Sequence, residues 1–66
     1  MSFQLNGESK QIESGKTLTD LVALLGLTGK RIAIEVNEEI IPRGEHASTQ
    51  IQPGDKIEIV NAIGGG

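Results

Sequence analysis

The most chemically suggestive residues stand together at one end of the chain. Gly64, Gly65 and Gly66 follow almost directly on the apolar run Ile57–Val60. At an average usage of about 7%, three glycines in a row at a given place have a chance frequency of roughly 3 in 10,000. Glycine costs stability inside a helix or strand, so a glycine run marks chain kept free of side chains. Such a segment can thread a narrow channel and present a backbone α-carboxylate to the active site of another protein. The reacting group would be the carboxylate of Gly66, with Gly64 and Gly65 as its thin stem. A frayed end is the plainer reading of terminal glycines. Against it, the run follows strand-like residues with almost no linker, and no Ser or Asp dilutes it.

Side-chain chemistry finds little support. The chain has no cysteine, which excludes a thiol nucleophile, a thiolate-bound zinc and a disulfide. Gly15-Lys16-Thr17 ahead of a helix has the form of the end of a phosphate-binding loop. The full motif needs a glycine at position 10, where Lys10 stands, so the segment reads as a turn followed by a helix cap. His46 is the sole histidine, and a metal site wants several converging ligands. It is expected to be a solvated loop residue. Ser9, Ser14 and Ser48 have no base poised nearby, and Glu38-Glu39 reads as an exposed turn. These residues predict a protein that is not an enzyme and binds neither metal nor cofactor itself.

The elements must therefore mount a terminus rather than build a cleft. Sixty-six residues, 1–66, make one small domain, which buries only about 60% of its unfolded surface. The formal charge is −3, there is no basic run, and Phe3 is the only aromatic. That balance argues against nucleic acid, which needs clustered cations and stacking platforms. No apolar stretch approaches a membrane span, and residues 1–7 lack a basic region followed by an apolar one. A cytoplasmic protein, monomeric when free, is the expectation.

Phe3 and Leu5 alternate with Ser2 and Gln4 as in a half-buried strand. Asn6-Gly7 is a strong hairpin signal, because both residues tolerate positive φ. Glu8 to Ile12 reads as a polar edge strand, with Lys10 discouraging stray pairing. Thr17 is placed to cap a helix, with Asp20 three residues on completing a capping box. Leu18, Leu21, Val22 and Leu25 form one apolar stripe, and Gly26 sits where the helix should stop. Ile32, Ile34 and Val36 make a third strand, Asn37-Glu38 a turn, and Glu39 to Ile41 a short strand ended by Pro42. Residues 43–50 are expected to be loop. Pro53-Gly54-Asp55 is a turn, and Lys56 to Val60 is the last strand, leaving 61–66 as a flexible tail. One helix can cover only one face of such a sheet, so the fold is a two-layer α+β arrangement. If the helix covers Ile57 and Ile59, alternation leaves Glu58 and Val60 on the opposite face. That face, together with Ala62 and Ile63, is the expected docking surface.

Two segments carry a resemblance that spans essentially the whole chain. Asn37-Glu38-Glu39-Ile40-Ile41-Pro42-Arg43 and Pro53-Gly54-Asp55-Lys56-Ile57-Glu58-Ile59-Val60, followed by Ala62-Ile63-Gly64-Gly65-Gly66, resemble the ThiS family of sulfur carriers in thiamin biosynthesis. Many relatives carry an aromatic residue near the position of His46, and some end in two glycines. The resemblance implies a ubiquitin-like β-grasp fold: a mixed sheet of four to five strands, one helix packed on one face, and the last strand central. It also implies the chemistry. A ThiF-like enzyme, using ATP and magnesium, would adenylate Gly66. A persulfide sulfur from a cysteine desulfurase would displace the adenylate and leave a Gly66 thiocarboxylate. A thiazole synthase (ThiG-like) would take that sulfur into the thiazole ring. Readings from neighbouring classes are the small subunit of molybdopterin synthase, a ubiquitin-like protein modifier, and an interaction module with an inert tail. The fate of the terminus separates them.

Overall fold

Asn6-Gly7 reverses the chain as expected, and the backbone shows how. Asn6 has φ 50° and Gly7 φ 84°, the paired left-handed conformation that matches the twist of the flanking strands. The turn joins β1 (Ser2–Leu5) to β2 (Glu8–Gln11) in antiparallel register, Leu5 opposite Glu8 and Ser2 opposite Gln11. These coordinates form a computed structural model that describes residues 1–61; the expectations placed on residues 62–66 lie outside the described residues. All four β2 residues are exposed, as suits an edge strand, and Lys10 pairs with Glu8 at 3.5 Å. Ile12 ends the expected strand but lies beyond β2. It stays half-buried against the core, its N–H donating to the Met1 carbonyl at 2.9 Å.

Helix α1 (Leu18–Leu24) is only seven residues long. A helix that short is marginal in water and depends on its caps and packing. Both caps are built. The Asp20 N–H donates to the Thr17 hydroxyl at 3.2 Å, and the Thr17 N–H donates to the Asp20 carboxylate at 2.8 Å. At the other end Gly26 has φ 72°, so that Leu27 N–H reaches the Val22 carbonyl and Gly26 N–H the Ala23 carbonyl. The apolar stripe is narrower than its spacing suggests. Leu18 and Leu21 are buried and Val22 partly so, but Leu25 is exposed, because the helix has already ended and Leu25 is its C-cap.

Strand β3 (Ile32–Val36) joins β4 (Glu39–Ile41) through a second left-handed turn, Asn37 at φ 53° and Glu38 at φ 72°. The segment after Pro42 is not loop. Arg43–Ser48 forms a 3-10 helix, η1, and its His46 is buried at 8% exposure. The solvated histidine expected from the sequence is thus corrected. The imidazole Nε2 lies 2.9 Å from the Ile41 carbonyl, which satisfies the ring's polar edge and lets its body pack inward. Residues 49–51 then run beside the start of the helix, Ile51 N–H to Lys16 carbonyl and Leu18 N–H to Thr49 carbonyl. That places Ile51 in the core with Phe3, Leu5, Leu18, Leu21, Ile34, Ile57 and Ile59. The last strand, β5 (Lys56–Asn61), completes a five-stranded sheet of order β2-β1-β5-β3-β4.

The capping box carries a pH dependence. Hydrogen bonds from the Thr17 backbone and then its hydroxyl hold the Asp20 carboxyl below its usual 3.8. A lowered folded-state value means stability that is fully present above the unfolded value and is lost as pH falls through the folded one. Asp20→Asn should therefore be less stable than the parent above a pH of about 5, with the gap closing once pH drops below the carboxylate range. Urea midpoints for both proteins across that interval read it directly. A gap that persists unchanged in acid would refute the assignment.

Candidate functional site

Strand β5 carries Glu58 and Val60 and directly precedes the remaining predicted site residues in the sequence, and both of its sides are held. On one side it runs parallel to β1, Gln4 opposite Lys56 and Leu5 opposite Ile57. On the other it is antiparallel to β3 over five pairs, from Val36–Ile57 to Ile32–Asn61. Two asparagine side chains extend these ladders. Asn6 Oδ1 accepts from Ile59 N–H at 2.9 Å and Asn6 Nδ2 donates to the Ile59 carbonyl at 3.3 Å. Asn37 Oδ1 accepts from Lys56 N–H at 3.0 Å, while Asn37 Nδ2 donates to Asp55 Oδ1 at 3.0 Å. Asp55 in turn accepts from Gln52 N–H at 2.8 Å, closing the turn that starts the strand.

Alternation along β5 divides its side chains as the sequence predicts. Ile57 and Ile59 point under the helix and are buried, whereas Glu58 and Val60 face away and are exposed, Val60 at 57%. The strand runs one residue past its expected end. Asn61 belongs to β5 and pairs with Ile32. Ala62, Ile63, Gly64, Gly65 and Gly66, the remaining predicted site residues, lie outside the described residues.

The register brings further residues to the uncovered face that inspection of the sequence left out. Glu35 stands directly opposite Glu58 on one side and Ile40 on the other, and Ala33 stands opposite Val60. Ile40 is 67% exposed. The signal was present in β3, where Ala33 and Glu35 alternate with Ile32, Ile34 and Val36. What the sequence lacks is which strands lie next to each other. At the margin of the helix layer Arg43 donates to the Lys30 carbonyl at 3.1 Å. No group of three His, Cys, Asp or Glu side chains converges among the described residues. None of their helices is long and apolar enough to cross a membrane. The site therefore consists of a rigid strand end with an exposed, partly apolar sheet face beside it.

Comparison with known proteins agrees with this geometry. The ThiS family model matches residues 3–66. A solved structure of a thiamine biosynthesis protein (ThiS) from Geobacter metallireducens superposes with a TM-score of 0.83 at 26% identity, covering 100% of both chains. The fold is accordingly the ubiquitin-like β-grasp, with β5 at its centre. The sulfur carrier protein ThiS of Bacillus subtilis is 38% identical over 65 residues, 97% of this chain and 98% of the relative. A thiazole synthase from Paramagnetospirillum magneticum is also 38% identical over all 66 residues, but there the chain spans only 20% of the relative's length.

The Asn6 clamp should be measurable. Asn6→Gly keeps the left-handed turn and removes only the two bonds to Ile59, so it should cost about 1–2 kcal/mol. That corresponds to a fall in Tm of roughly 4–8 °C per kcal/mol in a domain this small. Asn6→Ala, which must also hold φ 50° with a side chain that gains nothing there, should cost about 1 kcal/mol more. Thermal melts of both variants and the parent check the order, and a parent-like Tm for Asn6→Gly would show that the clamp contributes nothing.

Proposed function

The chain belongs to the ThiS family, and from that membership we propose that it is a sulfur carrier of thiamin biosynthesis, acting through the α-carboxylate of Gly66. The observation that carries this reading is the extent of the family match. It runs to residue 66, so the three glycines fall inside the family's own span, a few residues beyond a strand held on both sides. The chain itself is not the catalyst. Its part is to hold a reactive group at a fixed distance from a docking face.

The chemistry follows from what a carboxylate lacks. Its charge is delocalised, so the carbonyl carbon is a poor electrophile. In the proposed first step a Gly66 carboxylate oxygen attacks the α-phosphorus of ATP in a ThiF-like enzyme, pyrophosphate leaves, and an acyl-adenylate forms. A persulfide sulfur then attacks the carbonyl carbon and AMP leaves. A partner's thiol cleaves the resulting acyl disulfide at its S–S bond to release the thiocarboxylate. That thiol and the persulfide must come from partners such as a cysteine desulfurase, because this chain has no cysteine. Dividing one hard substitution into easier ones is the logic of covalent intermediates. The thiocarboxylate sulfur then serves as a tethered nucleophile for a thiazole synthase. Relatives that bear that name and contain a domain similar to this chain support the pairing.

Six residues from Asn61 to Gly66 span at most about 20 Å when extended, at roughly 3.3–3.6 Å each. Docking must therefore bring a partner's active site within that distance of the strand end, and the uncovered face with Val60 is the surface nearest to it.

Two outcomes test the proposal. Incubated with ATP, magnesium, a ThiF-like enzyme and a persulfide source, the protein should gain mass by one sulfur-for-oxygen exchange. Tandem mass spectrometry should place it at Gly66. Sulfur anywhere else, or an amide from Gly66 to a lysine, would overturn the carrier reading. Val60→Asp should leave the fold intact, since the side chain is exposed, but weaken binding to the ThiF-like enzyme and to thiazole synthase by about tenfold or more, because docking would bury an unpaired charge. Unchanged binding by a variant with the parent's circular dichroism would remove this face from the interface.

A further inference from the structure

The uncovered sheet face carries a defect that folding alone does not explain. Glu35 on β3 and Glu58 on β5 are direct cross-strand partners, with their side chains on the same side of the sheet. Like charges placed directly opposite destabilise a strand pair, and the Cβ atoms of such a pair lie only about 4.5–5.5 Å apart. Among the described residues no cation forms an ion pair with either of them. Lys56 lies on the same face two residues along β5, yet it forms no ion pair with Glu58. Among the described residues the one ion pair is Lys10–Glu8, at the far edge of the sheet. Glu35 is half-buried and Glu58 exposed.

The surroundings of this pair are not those of an ordinary solvated face. Ile40 stands directly across from Glu35 on β4, and Val60 and Ala33 form the next cross-strand row. Two carboxylates thus sit between exposed aliphatic side chains at the centre of the sheet. Resting on the docking reading given above, we propose that Glu35 and Glu58 together form the acceptor site for a cationic side chain of a docked thiazole synthase. The aliphatic chain of that residue would lie against Ile40 and Val60. Both carboxylates would hydrogen-bond one cationic head, and the repulsion that costs the free carrier stability would become an attraction in the complex. Charge-assisted bonds of this kind are stronger than neutral ones, and a long basic side chain is suited to packing its stem on apolar surface while its head pairs.

A stability role and a docking role move in opposite directions here, which makes the proposal testable. Glu35→Gln and Glu58→Gln each remove the repulsion, so each should raise the Tm of the free carrier by about 1–5 °C. Each should also weaken binding to thiazole synthase by about three- to tenfold and flatten the dependence of Kd on salt. Glu35→Lys, which would face Glu58 with an opposite charge, should be more stable than the parent and bind most weakly. Calorimetric titration of wild type, the three variants and Val60→Asp at two salt concentrations provides every comparison. If Val60→Asp weakens binding while the Gln variants bind with wild-type affinity and salt dependence, the acceptor site is refuted and the docking face stands. If wild type itself does not bind the enzyme, both readings fall. Gln variants that lose affinity and also lose Tm would show a structural role and overturn the proposal.

Discussion

The fixed register of β5 is the constraint on which the rest of the molecule depends. It is bonded by β1 on one side and β3 on the other. Because side chains alternate with a period of two, a slip of one residue would turn Ile57 and Ile59 out of the core and bring Glu58 and Val60 into it. Asn6 and Asn37 guard against that slip at two heights along the strand, each bonding β5 backbone directly. Both also occupy left-handed turn positions. One residue type thus reverses the chain and locks the strand that the reversal brings alongside.

A single short helix on a five-stranded sheet leaves an unavoidable asymmetry. The helix and the turn of η1 close one face over eight buried apolar residues. Among the described residues nothing covers the other face. In a chain this small the open face is a large share of the surface, and β5, β3 and the edge strand β4 place Val60, a pair of glutamates and Ile40 there rather than an evenly polar mixture. The same asymmetry separates structure from function. The covered face holds the fold together, and the open one is the face proposed above for docking.

The segment from Asn37 to Arg43, which carries much of the family resemblance, is occupied almost wholly with architecture. Asn37 holds the start of β5, Ile41 packs inward, Pro42 opens η1, and Arg43 ties that turn to the Lys30 carbonyl. Only Ile40 faces the open side, opposite Glu35. On the proposed reading, in which the reactive group is a backbone carboxylate, no catalytic side chain is required, and a signature given over to architecture is what such a carrier needs.

Local signals were sufficient where the physics is local. Asn6-Gly7 and Asn37-Glu38 specify left-handed turns, Thr17 with Asp20 specifies a helix start, Gly26 its end, and alternation at Ile57 and Ile59 specifies which side of the last strand is buried. Each depends on residues within a few positions of one another. The backbone chemistry proposed for the glycine run rests on the sequence and on a family match that reaches residue 66. Three features waited for the tertiary structure. His46 reads as a polar loop residue until the Ile41 carbonyl, five positions away, supplies the partner that lets it be buried. Ile51 lies in no regular element and enters the core only because residues 49–51 run beside the helix start. The juxtaposition of Glu35 and Glu58, 23 positions apart in the chain, arises from the adjacency and register of β3 and β5. Alternation within either strand shows which way each carboxylate points, but only the pairing of the strands sets one against the other.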